Sequence, residues 1–172
     1  MPVDEMRLGL KGVMRRVWCS RGVKVVQRLQ FVFEWIYLVV AADPCSGKLR
    51  WQWISRLNQA QLLPVIQHWG LDGLIWDNAS AHTGKQMAAV DTTLIFQPPY
   101  SPELNPIERL FEYLRDKIEG RNYPSLQAKM AAVDRELRRL AARPKAVRQL
   151  IGYEWMQAAL DALPEPDFTS PA

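Results

Sequence analysis

Cysteine is scarce in this chain. The 172 residues hold only Cys19 and Cys45, which lack the paired spacing of a zinc site and are expected to be reduced structural thiols. Nothing ahead of them has the charged start, apolar middle and small-residue end of a secretory signal. Long apolar runs are missing as well. The longest, residues 31–42, is interrupted by Glu34 and falls short of the roughly 20 residues that a bilayer demands. A cytoplasmic protein with no membrane partner is therefore expected. No internal repeat is present. Negative charge is in the minority, 18 Asp and Glu against 22 Lys and Arg, and the net +4 favours an anionic partner such as nucleic acid.

What remains is ordinary globular material. With 48% of residues apolar and 23% charged, the chain is neither disordered nor fibrous in composition. Its length suits one domain that buries about two-thirds of its unfolded surface in a single core. That unit is expected over residues 1–163, followed by a flexible tail over 164–172, where Pro164, Pro166 and Pro171 stand among few apolar residues.

The order of elements follows from periodicity and punctuation. A short strand carries Asp4 and Glu5 almost at the start of the chain. Residues 7–28 then bring Arg7, Lys11, Arg15, Arg16, Arg21, Lys24 and Arg28, with Gly12 and Gly22 at turns. These cations suit phosphate contacts, and suit equally well a solvated sheet edge. Residues 30–42 and 49–54 read as the arms of a β-hairpin around the turn cluster Asp43 to Gly47, with Leu49, Trp51 and Trp53 alternating onto one face. Asn58 and Gly70 bracket a helix. Residues 71–76, apolar but for Asp72, are expected to form a buried strand, 85–90 a short helix, and 92–96 another buried strand. Strand, helix, strand in this order gives a parallel crossover. Pro98, Pro99, Pro102 and Pro106 stiffen the loop beyond it. Asn105 then caps an amphipathic helix with its stripe at Ile107, Leu110, Phe111, Leu114 and Ile118, and a second helix starts near Ser125.

Two acidic residues stand in contrasting settings: Asp77 ends an apolar strand and Glu108 opens a helix. Cutting or transferring a phosphodiester needs an activated nucleophile and a stabilised leaving oxygen, and two hard cations about 3.5–4 Å apart supply both. Magnesium takes oxygen ligands, so a few convergent carboxylates suffice to hold it. Asp4 on the first strand, Asp77 at the carboxyl end of a neighbouring strand and Glu108 on a flanking helix are the candidates, and open α/β sheets tend to bind ligands at the carboxyl ends of strands. Each also has a plainer reading. Asp77 suits an Asx turn with Asn78, Glu108 a capping box with Asn105, and Asp4 a solvated terminus.

The sequence strings around these residues go further. VDE at Val3 to Glu5, DNASAH at Asp77 to His82 and PPYSPELNPIE at Pro98 to Glu108 resemble the mariner-type DDE transposases, and more narrowly their bacterial insertion-sequence branch. The resemblance implies an α/β, ribonuclease H-like fold with a central mixed β-sheet flanked by α-helices. It implies an Asp4, Asp77, Glu108 triad that holds two Mg2+ or Mn2+ ions for DNA cleavage and strand transfer at transposon ends. Glu5, Asn78, His82 and Asn105 match auxiliary positions near such a site. Arg7, Arg15, Arg16, Lys85, Arg109 and Arg115 are the DNA-binding candidates, and a homo-oligomer on DNA is expected. Between Asp77 and Glu108 lie 30 residues, a short interval for that family. The family also carries helix-turn-helix modules ahead of the catalytic domain, whereas Asp4 stands near the start here. A catalytic domain alone is therefore expected, as a fragment, half of a split reading frame or a decayed copy, with a separate helix-turn-helix polypeptide as a possible partner. A non-catalytic DNA-binding remnant and a ribonuclease H-like nuclease are the alternatives.

Overall fold

The structure, a computed structural model, describes residues 1–12, 18–26, 29–154 and 158. β-branched and aromatic residues build its first half. Strands β1 (Val3–Gly9), β2 (Trp35–Ala42) and β3 (Leu49–Ile54) pair antiparallel in the order β1-β2-β3, with Asp4 opposite Val40 and Val40 opposite Trp51. The tight turn between β2 and β3 is made by Asp43, whose side chain accepts from the Cys45 N–H and the Ser46 hydroxyl, and by Gly47 at φ 73°. Strands β4 (Gly73–Trp76) and β5 (Thr93–Phe96) pair in parallel. One parallel bridge, Pro2 to Ile75, joins the two sheets, and the Ile75 N–H donates to the Met1 carbonyl at 2.9 Å. The strand order across the molecule is thus β3-β2-β1-β4-β5. β1 and β4 run side by side at the bridge and share no further ladder pairing among the described residues.

Helices cover both faces. Residues of β2 alternate between two cores, Val39 and Ala41 into one and Leu38, Val40 and Ala42 into the other, as a strand buried on both sides must. On one face α1 (Gln59–Trp69) packs Leu62, Val65, Ile66 and Trp69 against Val3, Leu74 and Trp76. Its ends are those expected: the Asn58 side chain accepts from the Gln61 N–H at 3.0 Å, and Gly70 closes the helix at φ 53°. On the other face lie α2 (Ile107–Ile118), α3 (Leu126–Ala141) and α4 (Pro144–Ile151), around Met6, Leu8 and Val40. The indole N–H groups of Trp51 and Trp53 both donate to one Asp134 oxygen, each at 3.0 Å, and pin α3 to β3.

Several expectations change. The strand that carries Asp4 and Glu5 is longer than expected: only Val3 precedes Asp4, but β1 runs on to Gly9, because Met6 and Leu8 alternate into the core opposite Leu38 and Ile36. β5 is not buried. Ile95 and Phe96 are 54% and 38% exposed, since no described strand or helix covers that edge of the sheet. The short helix at 85–90 contracts to one 3₁₀ turn, Met87–Ala89, and α4 was not expected at all. Cys19 and Cys45 are exposed rather than core thiols. Arg15, Arg16 and the expected tail at 164–172 lie outside the described residues. Among the described residues no helix is long and apolar enough to cross a membrane.

Candidate catalytic cleft

Strand alternation separates Asp4 from Glu5. Asp4 shares its face with Met6 and Leu8, next to α2, and its Oδ1 accepts from the Glu5 N–H at 2.8 Å. Burial, followed by the charge of Glu5 and then those of Glu108 and Asp77, pushes the Asp4 carboxyl up from 3.8 to about 7, against the opposing pull of the Glu5 N–H. Glu5 points to the opposite face and does not line the cleft that holds Asp4. Its side chain, 4% exposed, accepts from the Trp76 indole N–H at 3.2 Å and lies 3.1 Å from His82 Nε2.

Asp77 follows β4 directly. The Asx turn expected of it forms, with Oδ1 accepting from the Ala79 N–H at 3.0 Å. The same oxygen lies 2.5 Å from His82 Nδ1. His82, 1% exposed, stacks on Trp76 with ring centroids 4.0 Å apart and sits between two carboxylates. Both of its ring nitrogens face acceptors, and only the imidazolium can donate to both. Burial opposes that charge, but the Glu5 hydrogen bond and the charges of Glu5 and Asp77 prevail, so the His82 pKa is raised.

Glu108 lies in the first turn of α2. The capping box does not form: the Asn105 N–H donates to the Pro102 carbonyl at 3.0 Å, while its buried side chain accepts from the Ile107 N–H and donates to the Val3 carbonyl, both at 3.1 Å. Asn105 thus ties the start of α2 to the residue before Asp4. At the other end of the loop the Gln97 N–H donates to the Trp76 carbonyl, and the Gln97 carbonyl accepts from the Asn78 side chain, each at 2.8 Å. Gln97 was not among the sequence candidates. The only signal for it was its place between a strand and a proline pair.

Asp4, Asp77 and Glu108 line one surface cleft of about 580 Å³, walled by Asn78, Asn105 and the proline loop. The basic candidates divide differently. Arg115 lies 3.8 Å from Glu108 and, with Arg7, lines a separate depression along β1 and α2. Arg109 stacks over Tyr153 at 4.3 Å. Lys85 is exposed beside Asn58 and Ser80, away from the carboxylates.

Carboxylate oxygens are the donor set a hard divalent cation takes, and the mutual repulsion that raises Asp4 is relieved by such a charge. Among the described residues, no group of three or more His, Cys, Asp and Glu side chains is close enough to hold an ion as it stands. One oxygen of each carboxylate is engaged by the protein: at Asp4 by Glu5, at Asp77 by Ala79 and His82, and at Glu108 loosely by Arg115. The donor chemistry fits a cation, and binding one would require the carboxylates to draw together.

An antiparallel sheet and a parallel one joined by a single bridge, with helices on both faces and a cleft lined by three carboxylates, define a ribonuclease H-like catalytic core. The family model of the DDE superfamily endonucleases matches residues 2–128, and the chain belongs to that family. Family membership implies dependence on a divalent metal. Among solved structures the fold is similar to the catalytic domain of Mos1 mariner transposase, at TM-score 0.52 and 15% identity over 87% of this chain and 79% of that one. It is similar also to a Mos1 mariner paired-end complex with Mn, at TM-score 0.61 and 15% identity over 88% of this chain and 55% of that one. The chain therefore spans about half the length of the transposase in that complex. A 44-residue segment, a quarter of the chain, is 46% identical to one third of the uncharacterized protein y4pE/y4sA of Sinorhizobium fredii (strain NBRC 101917 / NGR234).

Proposed function

We propose that residues 1–163 form the catalytic domain of a DNA transposase that cuts and joins DNA strands at transposon ends, with Asp4, Asp77 and Glu108 holding two Mg2+ or Mn2+ ions. The observation that carries this reading is the meeting of the three carboxylates in one cleft, from elements far apart in the chain. When bound, the cations activate the attacking oxygen and stabilise the leaving one. The chain's own residues set the stage. His82 holds Asp77 in one orientation from below while Glu5 holds His82. Asn105 fixes where α2 presents Glu108 relative to β1. Arg115, within 4 Å of Glu108, and Arg7 offer charge to the DNA backbone along the neighbouring depression. A homo-oligomer on DNA and a separate helix-turn-helix polypeptide for end recognition belong to the same reading.

Magnesium-dependent nicking of a DNA duplex by the purified chain tests it. Asp77→Asn and Glu108→Gln should each abolish nicking and keep the melting temperature of the metal-free protein. Undiminished cleavage by either variant refutes the triad. The second reading, a DNA-binding remnant that does not cut, is favoured by the lack of a ready-made three-ligand group among the described residues. It requires DNA binding without any stabilisation by magnesium, whereas a working triad gains stability through mass action.

A further inference from the structure

The loop over the cleft holds Tyr100 in a conformation that does nothing for the fold. Its φ is 59°, the left-handed region that L side chains avoid, and its side chain is fully exposed at 101%. An aromatic residue normally gains by burial, and here the ring is unburied while the backbone is strained. Tyr100 is nonetheless firmly placed. Pro98, Pro99 and Pro102 stiffen the loop around it, the Ser101 hydroxyl donates to the Pro99 carbonyl at 3.3 Å, and the Leu104 N–H donates to the Ser101 carbonyl at 3.1 Å. The loop is bonded at one end to Trp76 and at the other to Val3, the residues immediately before Asp77 and Asp4. The backbone that presents the ring is therefore held in register with the carboxylates whose cleft Tyr100 lines.

A tyrosine presented this way suits a flat apolar partner. It has few rotatable bonds, so it loses little entropy on stacking. Nucleobases offer a π-face whatever their sequence, but only when they are out of the duplex stack. We propose that Tyr100 stacks on an unpaired nucleobase next to the phosphodiester in the cleft, giving the site a preference for DNA that is frayed, nicked or distorted there. This rests on the DNA-processing reading above and adds a substrate preference to it.

Two duplexes of one sequence test the assignment, one fully paired and one carrying an unpaired 2-aminopurine beside a nick. Binding and 2-aminopurine quenching are measured in calcium, a hard cation with the same taste for oxygen ligands. The wild-type chain should quench the unpaired base and bind that duplex about ten-fold more tightly than the paired one. Tyr100→Ala and Tyr100→Gly should lose both effects and keep the affinity for paired DNA, while Tyr100→Phe keeps everything. Tyr100→Gly relieves the positive φ, so its melting temperature should match or exceed the wild type and guards against a folding artefact. Retained preference in Tyr100→Ala overturns the proposal, as does a loss in Tyr100→Phe equal to that in Tyr100→Ala. A change in sedimentation with Tyr100→Ala and unchanged DNA preference overturns it in favour of a protein contact. Failure of the wild type to bind either duplex refutes the DNA reading itself, whereas equal binding of the two duplexes without quenching refutes only the stacking.

Discussion

Replacing Asp4 with asparagine should make the metal-free protein more stable, and increasingly so as pH rises. The Asp4 carboxyl goes from an ordinary 3.8 to about 7 in the fold, because it is buried beside Glu5, Glu108 and Asp77. Between those two values the folded chain keeps a proton that the unfolded chain has released. Stability therefore falls as pH rises through this window, by up to about 1.4 kcal/mol per pH unit. Across the window the loss amounts to at most about 4 kcal/mol, complete near pH 8 and absent near pH 4. Asparagine has the shape of the protonated acid and no charge to lose. Urea unfolding of both proteins in EDTA at several pH values reads the difference directly. The two should be equally stable near pH 4 and diverge in favour of Asp4→Asn above it. His82 contributes with the same sign: its raised pKa gives stability present below 6.5 and lost as pH rises through the folded value. It remains in both proteins and largely cancels in the comparison. Magnesium should restore the wild type at pH 8 and do much less for the variant, since the cation takes the place of the missing proton. Parallel stability curves from pH 4 to pH 8 would refute the reasoning, because neither burial nor neighbouring charge would then make Asp4 harder to ionise in the fold than outside it.

Three further outcomes follow from particular contacts. His82→Gln should cost about 3 kcal/mol in urea unfolding, because it removes the buried cation that neutralises Glu5 and leaves that carboxylate with the Trp76 indole N–H. Asp134→Leu orphans the indole N–H groups of Trp51 and Trp53 and should lower stability by about 2 kcal/mol, a loss that Asp134→Asn, which keeps an acceptor oxygen, should largely avoid. If Arg7 and Arg115 contact DNA phosphates, replacing each with alanine should reduce the slope of log affinity against log salt by about 1, measured by titration at several salt concentrations.

Short-range signals carried much of this structure in the sequence. The Asn58 cap and the Gly70 stop, the Asp43 turn and the buried stripe of α2 are each decided within a few residues, and each appears where its chemistry places it. The three carboxylates stood out in the sequence for another reason, the long motif strings that hold them, and those strings lie within the residues that the family model matches. What escaped depends on distant partners. β5 is as apolar as β4, and its exposure follows from the absence of a further neighbouring strand among the described residues, which its own residues do not encode. α4 hides because basic residues dominate residues 143–148 while only Val147 and Ile151 are fully buried, with Leu150 packed partly against the core. Glu5 looked like a companion of Asp4, yet strand alternation sends it through the sheet to support His82 from the far side.

The same alternation explains how a site made of mutually repelling groups can be held still. None of the three carboxylates fixes the elements that carry it; the residues before them do. Pro2 bridges to Ile75, and the Ile75 N–H reaches the Met1 carbonyl, which sets β4 against β1 just ahead of Asp77 and Asp4. The Val3 carbonyl, turned away from β2, accepts from Asn105 and so sets α2 against β1 one turn ahead of Glu108. The Trp76 carbonyl accepts from Gln97 and closes the circuit through the proline loop. Backbone geometry is thereby settled by neutral hydrogen bonds, which the repulsion among the acids does not weaken. If the carboxylates beyond them close on a cation, they give up contacts to Ala79, His82, Glu5 and Arg115, none of which belongs to this frame. The proposed cation site would thus be framed by neutral backbone contacts that hold whether or not a cation is bound.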